Sequence, residues 1–158
     1  MSHKILPLLL IVTGTCLLFL SGCSRYAHTV NTLYQPSATV RGGSGEVYIV
    51  IPESRQTNSP EIKWVIGTVK NDDNTIIDEV FSPRSPAEII QDAFCQEFRK
   101  AGYTAVPVTK RPTSGELVLD LTKTVVELNQ ISDLADLKVN CRVIVALDVY
   151  TKGQLVKR

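Results

Sequence analysis

The stretch "SPAEIIQDAFCQEFRKAGY", Ser85 to Tyr103, contains a complete set of helix signals, and the fold is read outward from it. Ser85 in the N-cap position, Pro86 at the first helical position and Glu88 three residues after the cap form a capping box, with the proline where its missing N–H costs nothing. Gly102 suits the left-handed residue that ends a helix, and Arg99 and Lys100 stand in the last turn, facing the negative end of the helix dipole. Ala87, Ile90, Phe94, Phe98 and Ala101 recur at three- and four-residue steps, an apolar stripe that calls for a surface to pack on. Cys95 lies beside that stripe and reads as a buried thiol. Glu97 falls on its rim, and Glu88, Asp92 and Gln96 read as a solvated polar face.

On both sides of the helix the period changes from 3.6 to 2. Upstream, "EVYIVIP" (Glu46 to Pro52) has the β-branched content of a strand. "EIKWVIGTV" (Glu61 to Val69) and "TIIDEVF" (Thr75 to Phe81) flank the turn-rich "KNDDN", a hairpin signal, with Trp64 expected beside Ile62 and Ile66 on one strand face. Downstream, "TAVPV" (Thr104 to Val108) precedes two long alternations. Leu117, Leu119 and Leu121 share one face of the first. Val139, Cys141, Val143, Val145, Leu147 and Val149 share one face of the second, which predicts that Cys141 is buried. Gln130 to Leu137 reads as a loop or a distorted crossing, and Gln154 to Arg158 as a further strand after a turn at Lys152-Gly153. The expected fold is therefore α+β: an antiparallel β-sheet with one well-capped helix packed on one face. One helix about 10 Å wide does not cover such long strands, so a second helix is expected to be missing at the C-terminus, and a truncation, a partner or self-association is expected to account for it.

The first residues read differently. Lys4 is followed by an apolar run from Ile5 to Leu20 that stops at Ser21-Gly22-Cys23, the layout of a secretory signal and too short and broken for a membrane span. "LSGC", Leu20 to Cys23, resembles the lipobox of bacterial lipoproteins. That resemblance implies cleavage between Gly22 and Cys23 and acylation of Cys23, an anchor to which each buried methylene contributes about 0.8 kcal/mol. It also implies a cell-envelope location, with Ser24 in place of a retaining aspartate favouring the outer membrane and a domain facing the periplasm. The expected organisation is residues 1–22 as signal peptide, 23–44 as lipidated cysteine and flexible tether, and 45–158 as a single α+β domain. "GGSG", Gly42 to Gly45, reads as a flexible joint. Tyr26, His28, Leu33 and Tyr34 are the tether residues able to dock on the domain.

Removing residues 1–22 from the 158, and with them Lys4 from the 17 basic residues, leaves 136 residues with 16 charges of each sign. Such a balance offers no field to attract nucleic acid. Cys95 and Cys141 form a candidate disulfide in an oxidising compartment, against two free buried thiols. No glycine-rich phosphate loop, nucleophile beside a histidine or metal-spaced cluster is visible, so neither a cofactor, a metal nor catalysis is expected. Asp72 and Asp73 are turn residues, and His28 is a linker residue.

The order of lipobox, tether, strand, "WVIG" from Trp64 to Gly67, hairpin, capped helix ending "AGY" and long antiparallel strands resembles the YajG-like family of bacterial lipoproteins over residues 45–158. The resemblance implies a small α+β envelope lipoprotein and supplies no catalytic residues. The leading functional expectation is a lipid-anchored binding or assembly module that engages an envelope partner or another copy through an exposed sheet edge. The alternative is a carrier of an apolar or lipid ligand, with Leu117 to Leu121 and Val139 to Val149 lining a groove.

Overall fold

The computed structural model describes residues 28–37, 39, 41–113, 116–132 and 137–158, without the side chains of His28 and Ser132. The signal segment, Cys23 and Tyr26 lie outside the described residues. The fold is α+β: seven strands form one mixed, strongly curled sheet with a single helix packed against it, and a two-residue strand adds to one edge. In chain order the strands are β1 (His28–Thr29), β2 (Glu46–Val50), β3 (Trp64–Lys70), β4 (Ile76–Ser82), β5 (Thr104–Val108), β6 (Leu117–Ser132), β7 (Leu137–Thr151) and β8 (Gln154–Lys157), with α1 (Pro86–Ala101) between β4 and β5.

The sheet is not antiparallel throughout, as the sequence suggests. β2 lies between β5 and β6 and runs parallel to both, with Ile49 opposite Pro107 on one side and Leu119 on the other. Its composition suits that central position. Val47, Ile49 and Ile51 are fully buried and Val50 nearly so, with Tyr48 half-buried between them, the near-continuous apolar run of a central strand. β6 is 16 residues long and serves two neighbours along one edge, β2 beside Leu117–Asp120 and β3 beside Gln130–Ile131. Its other edge pairs with β7 from end to end. An extra residue at Thr122 breaks the register between Leu121 and Lys123, and such a bulge increases local bend and twist.

The helix forms as its caps predict. Ser85 accepts from the Glu88 N–H while the Glu88 carboxylate accepts from the Ser85 N–H, and Gly102 stands at φ 106°. It packs across β5, β2 and the first half of β6. Its buried residues are Ala87, Ile90, Gln91 and Cys95, while Phe94 and Phe98 reach the core from the side. The covered face is thus rotated toward Gln91 and Cys95 relative to the expected stripe. The Gln91 amide donates to the carbonyls of Ile49 (2.7 Å) and Val108 (3.3 Å), which makes its burial affordable.

β3 and β4 form the expected hairpin, closed by the Asn71 side chain and backbone around residues 71–75. Trp64 packs beside Ile66, Val69 and Val80, whereas Ile62 lies outside the strand and is exposed. Gly67 lets β3 approach β6: a Cβ there would stand 1.8 Å from the Leu128 carbonyl oxygen. At the end of β7, Lys152 (φ 50°) and Gly153 (φ 79°) make the turn into β8, both in the left-handed region that a two-residue hairpin requires. The expected loop from Gln130 is strand as far as Ser132, and residues 133–136 lie outside the described residues.

The segment expected to be a tether is held against the domain wherever it is described. β1 runs parallel to β4, and the Val30 N–H donates to the Phe81 carbonyl. Further on, the Tyr34 hydroxyl and the Ser37 N–H (2.6 Å) donate to the Glu97 carboxylate, and Lys100 donates to the Pro36 carbonyl. Leu33 stays exposed. The GGSG stretch is no free joint either. Gly43 donates to the Ala101 carbonyl at 3.0 Å and lies under the Tyr103 ring, where an added Cβ would come within 2.2 Å.

Candidate functional site

The half of the molecule away from the helix is where the sequence leaves an apolar surface without cover. Along β7 the odd-numbered residues from Leu137 to Val149 share one face, since side chains alternate along a strand. Val145, Leu147 and Val149 pack against the main core, opposite Thr124, Leu121 and Leu119. Beyond them the same row runs into solvent: Val143 is 53 % exposed, Val139 50 % and Leu137 63 %, and Cys141 is exposed. Cys141 therefore points along the expected face but is not buried, because α1 lies over β5, β2 and β6 and does not reach this end of β7. In the structure both thiols are free, with Cys95 buried beneath the helix and Cys141 at the open end of the row.

The outer edge of β7 is equally open. β8 pairs only with Val149–Thr151, and from Leu137 to Leu147 no strand or loop backbone among the described residues occupies that edge. On the opposite face this end of β7 carries Lys138, Asn140 and Arg142, and the Arg142 guanidinium pairs with Glu127 on β6 at 3.3 Å. Asp148, almost fully buried and directly opposite Asp120, accepts from Arg158 at 3.2 Å, so this cation offsets the charge of one of two carboxylates in opposed positions. Where β8 leaves β7, a cleft of about 520 Å³ opens between Thr122, Val145–Val149 and Lys157–Arg158.

The polar side of α1 is structural rather than solvated. Glu88 accepts from the Thr57 N–H (3.0 Å) and hydroxyl as well as from its own cap, and Thr57 in turn accepts from Trp64 Nε1 at 2.9 Å. Burial alone raises the Glu88 pKa, but the hydrogen bonds from Thr57 and Ser85 outweigh it and hold the carboxyl below its ordinary value. Asp92 pairs with Arg84 and accepts from Gln96. The hydrogen bond to Glu97 raises the Tyr34 pKa, helped by desolvation and the carboxylate charge. Burial raises that of Cys95, with Arg99 opposing and Asp92 adding, so this thiol lacks the electropositive exposure of a reactive one. Nothing in the sequence singled out Gln91 or the Thr57–Glu88 contact, since both depend on residues distant in the chain.

Among the described residues no group of three His, Cys, Asp or Glu side chains gathers where it could hold a metal ion, and no helix is long and apolar enough to cross a membrane. What the arrangement offers is a strand edge with an apolar row beside it, a geometry that binds by backbone pairing and side-chain packing. No protein family, no curated protein and no solved structure matches this chain.

Proposed function

We propose that the protein is a lipid-anchored lipoprotein of the cell envelope, facing the periplasm from the outer membrane, that acts as a non-catalytic binding or assembly module. The observation that carries this reading is the row Leu137–Val143, exposed beside a strand edge that is unpaired among the described residues. Soluble proteins blunt such edges or use them, and an apolar row flanking one supplies the side-chain pockets that strand addition needs. The anchor rests on the lipobox at Cys23, which supports the location but not the partner. The YajG-like resemblance fits the same class. Carriage of an apolar ligand is the lesser reading. One wall it requires, Leu119 and Leu121, is buried in the core, so only the cleft beside Val145–Val149 remains for it.

Two measurements on protein expressed in a lipoprotein-processing host test the reading. Mass and membrane partition of the native chain and Cys23→Ala should show loss of residues 1–22 and gain of acyl mass in the native form alone. A photo-crosslinking side chain at Val139 should then form protein adducts in intact cells that the same probe at exposed Glu61 does not. A native chain that keeps its first segment removes the anchor, and a Val139 probe without any protein adduct removes the binding module.

A further inference from the structure

We propose that the open edge of β7 pairs with the same edge of a second copy of this chain, antiparallel about a two-fold axis normal to the sheet, with the two Cys141 residues opposite each other. The inference rests on the binding-module reading and names its partner.

The edge has the properties of one that pairs. β5, at another edge of the sheet, carries Pro107, a residue that cannot donate to a further strand. β7 has no proline between Leu137 and Thr151, and the bulge in its pairing with β6 belongs to β6. Its exposed stretch alternates Leu137, Val139, Cys141 and Val143 with Lys138, Asn140 and Arg142, so in any odd-to-odd register a neighbouring strand of the same sequence sets one apolar row beside the other. Joining two copies lays their exposed rows side by side on one face of a continuous sheet, where each row packs laterally against the other.

Sterics and charge select the register. A two-fold axis normal to the sheet keeps each row on its own face, so odd-numbered positions oppose odd-numbered ones. β8 lies against Val149, and Arg158 reaches Asp148, so Leu137 of the second copy extends no further than the position opposite Leu147. Centring the axis on Arg142 reaches that limit but sets two guanidinium groups against each other. Centring it on Asn140 opposes Lys138 to Arg142. Like charges in directly opposed positions are destabilising. Centring it on Val139 avoids like charges but pairs only Leu137 to Cys141, whereas centring it on Cys141 pairs Leu137 to Val145, with Leu137 opposite Val145, Lys138 opposite Ile144, Val139 opposite Val143 and Asn140 opposite Arg142, the longest set without a like-charged pair. Arg142 also keeps its own Glu127 in each copy. Two copies anchored to one membrane meet at a raised effective concentration, so a modest edge contact suffices.

The test uses full-length protein in its own membranes, treated with copper phenanthroline under air. Two Cys141 thiols then become one disulfide, and the two protons and two electrons they lose pass through copper to dioxygen. The native chain should give a disulfide dimer at least tenfold above Cys141→Ser, which keeps the buried Cys95. Single cysteines placed in the Cys141→Ser chain as Val139→Cys, Asn140→Cys, Arg142→Cys and Val143→Cys should fall away on both sides of position 141. Val143→Lys, at a half-exposed site, should abolish the native crosslink while leaving thermal stability unchanged. A native chain that crosslinks no better than Cys141→Ser, or a scan that peaks elsewhere on β7, overturns the proposal. The Val139 photoprobe separates its failure from that of the wider reading. Adducts with other proteins but none with a second copy remove self-pairing alone, and no adduct of either kind removes both.

Discussion

Replacing Gly67 by alanine tests whether β3 and β6 are held by backbone proximity. Gly67 does not need a left-handed conformation, so the substitution adds no torsional strain, only a methyl group. That methyl carbon would stand 1.8 Å from the Leu128 carbonyl oxygen and 2.5 Å from its carbon, both backbone atoms with no rotamer to swing away. Ordinary C···O contacts begin at about 3.3 Å, so the strands must separate by well over an ångström. The separation acts on the parallel pairing of Val69 and Lys70 with Gln130 and Ile131, and on the two bonds from Thr68 to Asn129 Oδ1, at 3.2 and 3.0 Å. Overpacking costs about 1–3 kcal/mol, and two weakened hydrogen bonds add about 1 kcal/mol each at most. A loss of about 3–4 kcal/mol is expected, a large part of a stability of roughly 5–15 kcal/mol. For a domain of this size it lowers Tm by about 10–15 °C. Thermal and urea unfolding followed by circular dichroism measure it, with Trp64 fluorescence reporting on the same region. Gly42→Ala, where nothing lies within 4 Å of the added carbon, is the comparison, and its cost is confined to the φ of 98°. A Gly67→Ala protein melting within about 2 °C of the native chain would refute the reasoning, since no collective strand shift of this size leaves a packed core unaffected.

Other substitutions probe the helix and the C-terminal edge. Ser85→Ala removes the cap of α1 together with the hydroxyl bond to the Arg55 carbonyl, and should cost about 1–2 kcal/mol in urea titrations. Glu88 has a folded pKa below its unfolded one, so its contribution is complete above the unfolded value of about 4.3 and is lost as pH falls through the lower folded value. Glu88→Gln should therefore be less stable than the native chain at pH 7, and the difference should shrink on acidification, as thermal melts across that range will show. Arg158→Ala leaves Asp148 facing Asp120. Because the arginine side chain is 79 % exposed, the expected cost is only about 0.5–1 kcal/mol, and it should diminish in high salt.

The local parts of the fold were legible because their signals are local. Ser85, Pro86 and Glu88 specify a helix start within four residues, and "KNDDN" specifies a turn whatever the strands do elsewhere. The parallel pairing of β2 is less legible, because its apolar "VYIVI" signals a central strand without signalling the direction of its neighbours. Gln91 sat outside the expected apolar stripe because a period counts side-chain types, whereas its burial is set by the Ile49 and Val108 carbonyls supplied by two other strands. Cys141 shows the converse limit. Alternation placed it on the correct face of β7, but how far a helix extends over a face depends on topology that no strand's own sequence contains. The glycines of GGSG read as slack in the sequence alone. Gly43 is there for closeness to the Tyr103 ring, a contact between residues sixty positions apart.

The docked segment ahead of β2 also sets a length scale. On the lipid-anchored reading, only residues 24–27 separate Cys23 from β1, and a chain spans at most about 3.6 Å per residue, so the start of β1 can stand no more than about 18 Å from the Cα of Cys23. The domain is then moored at the headgroups, with the β1 edge turned toward the bilayer. Drawing the segment off as far as Gly45, by releasing its bonds to Phe81, Glu97, Lys100 and Ala101, lengthens the same mooring to about 80 Å. Those bonds lie in series along the chain. They would yield one after another before the sheet bore any load, so the segment behaves as a reel of spare chain between the membrane and the fold.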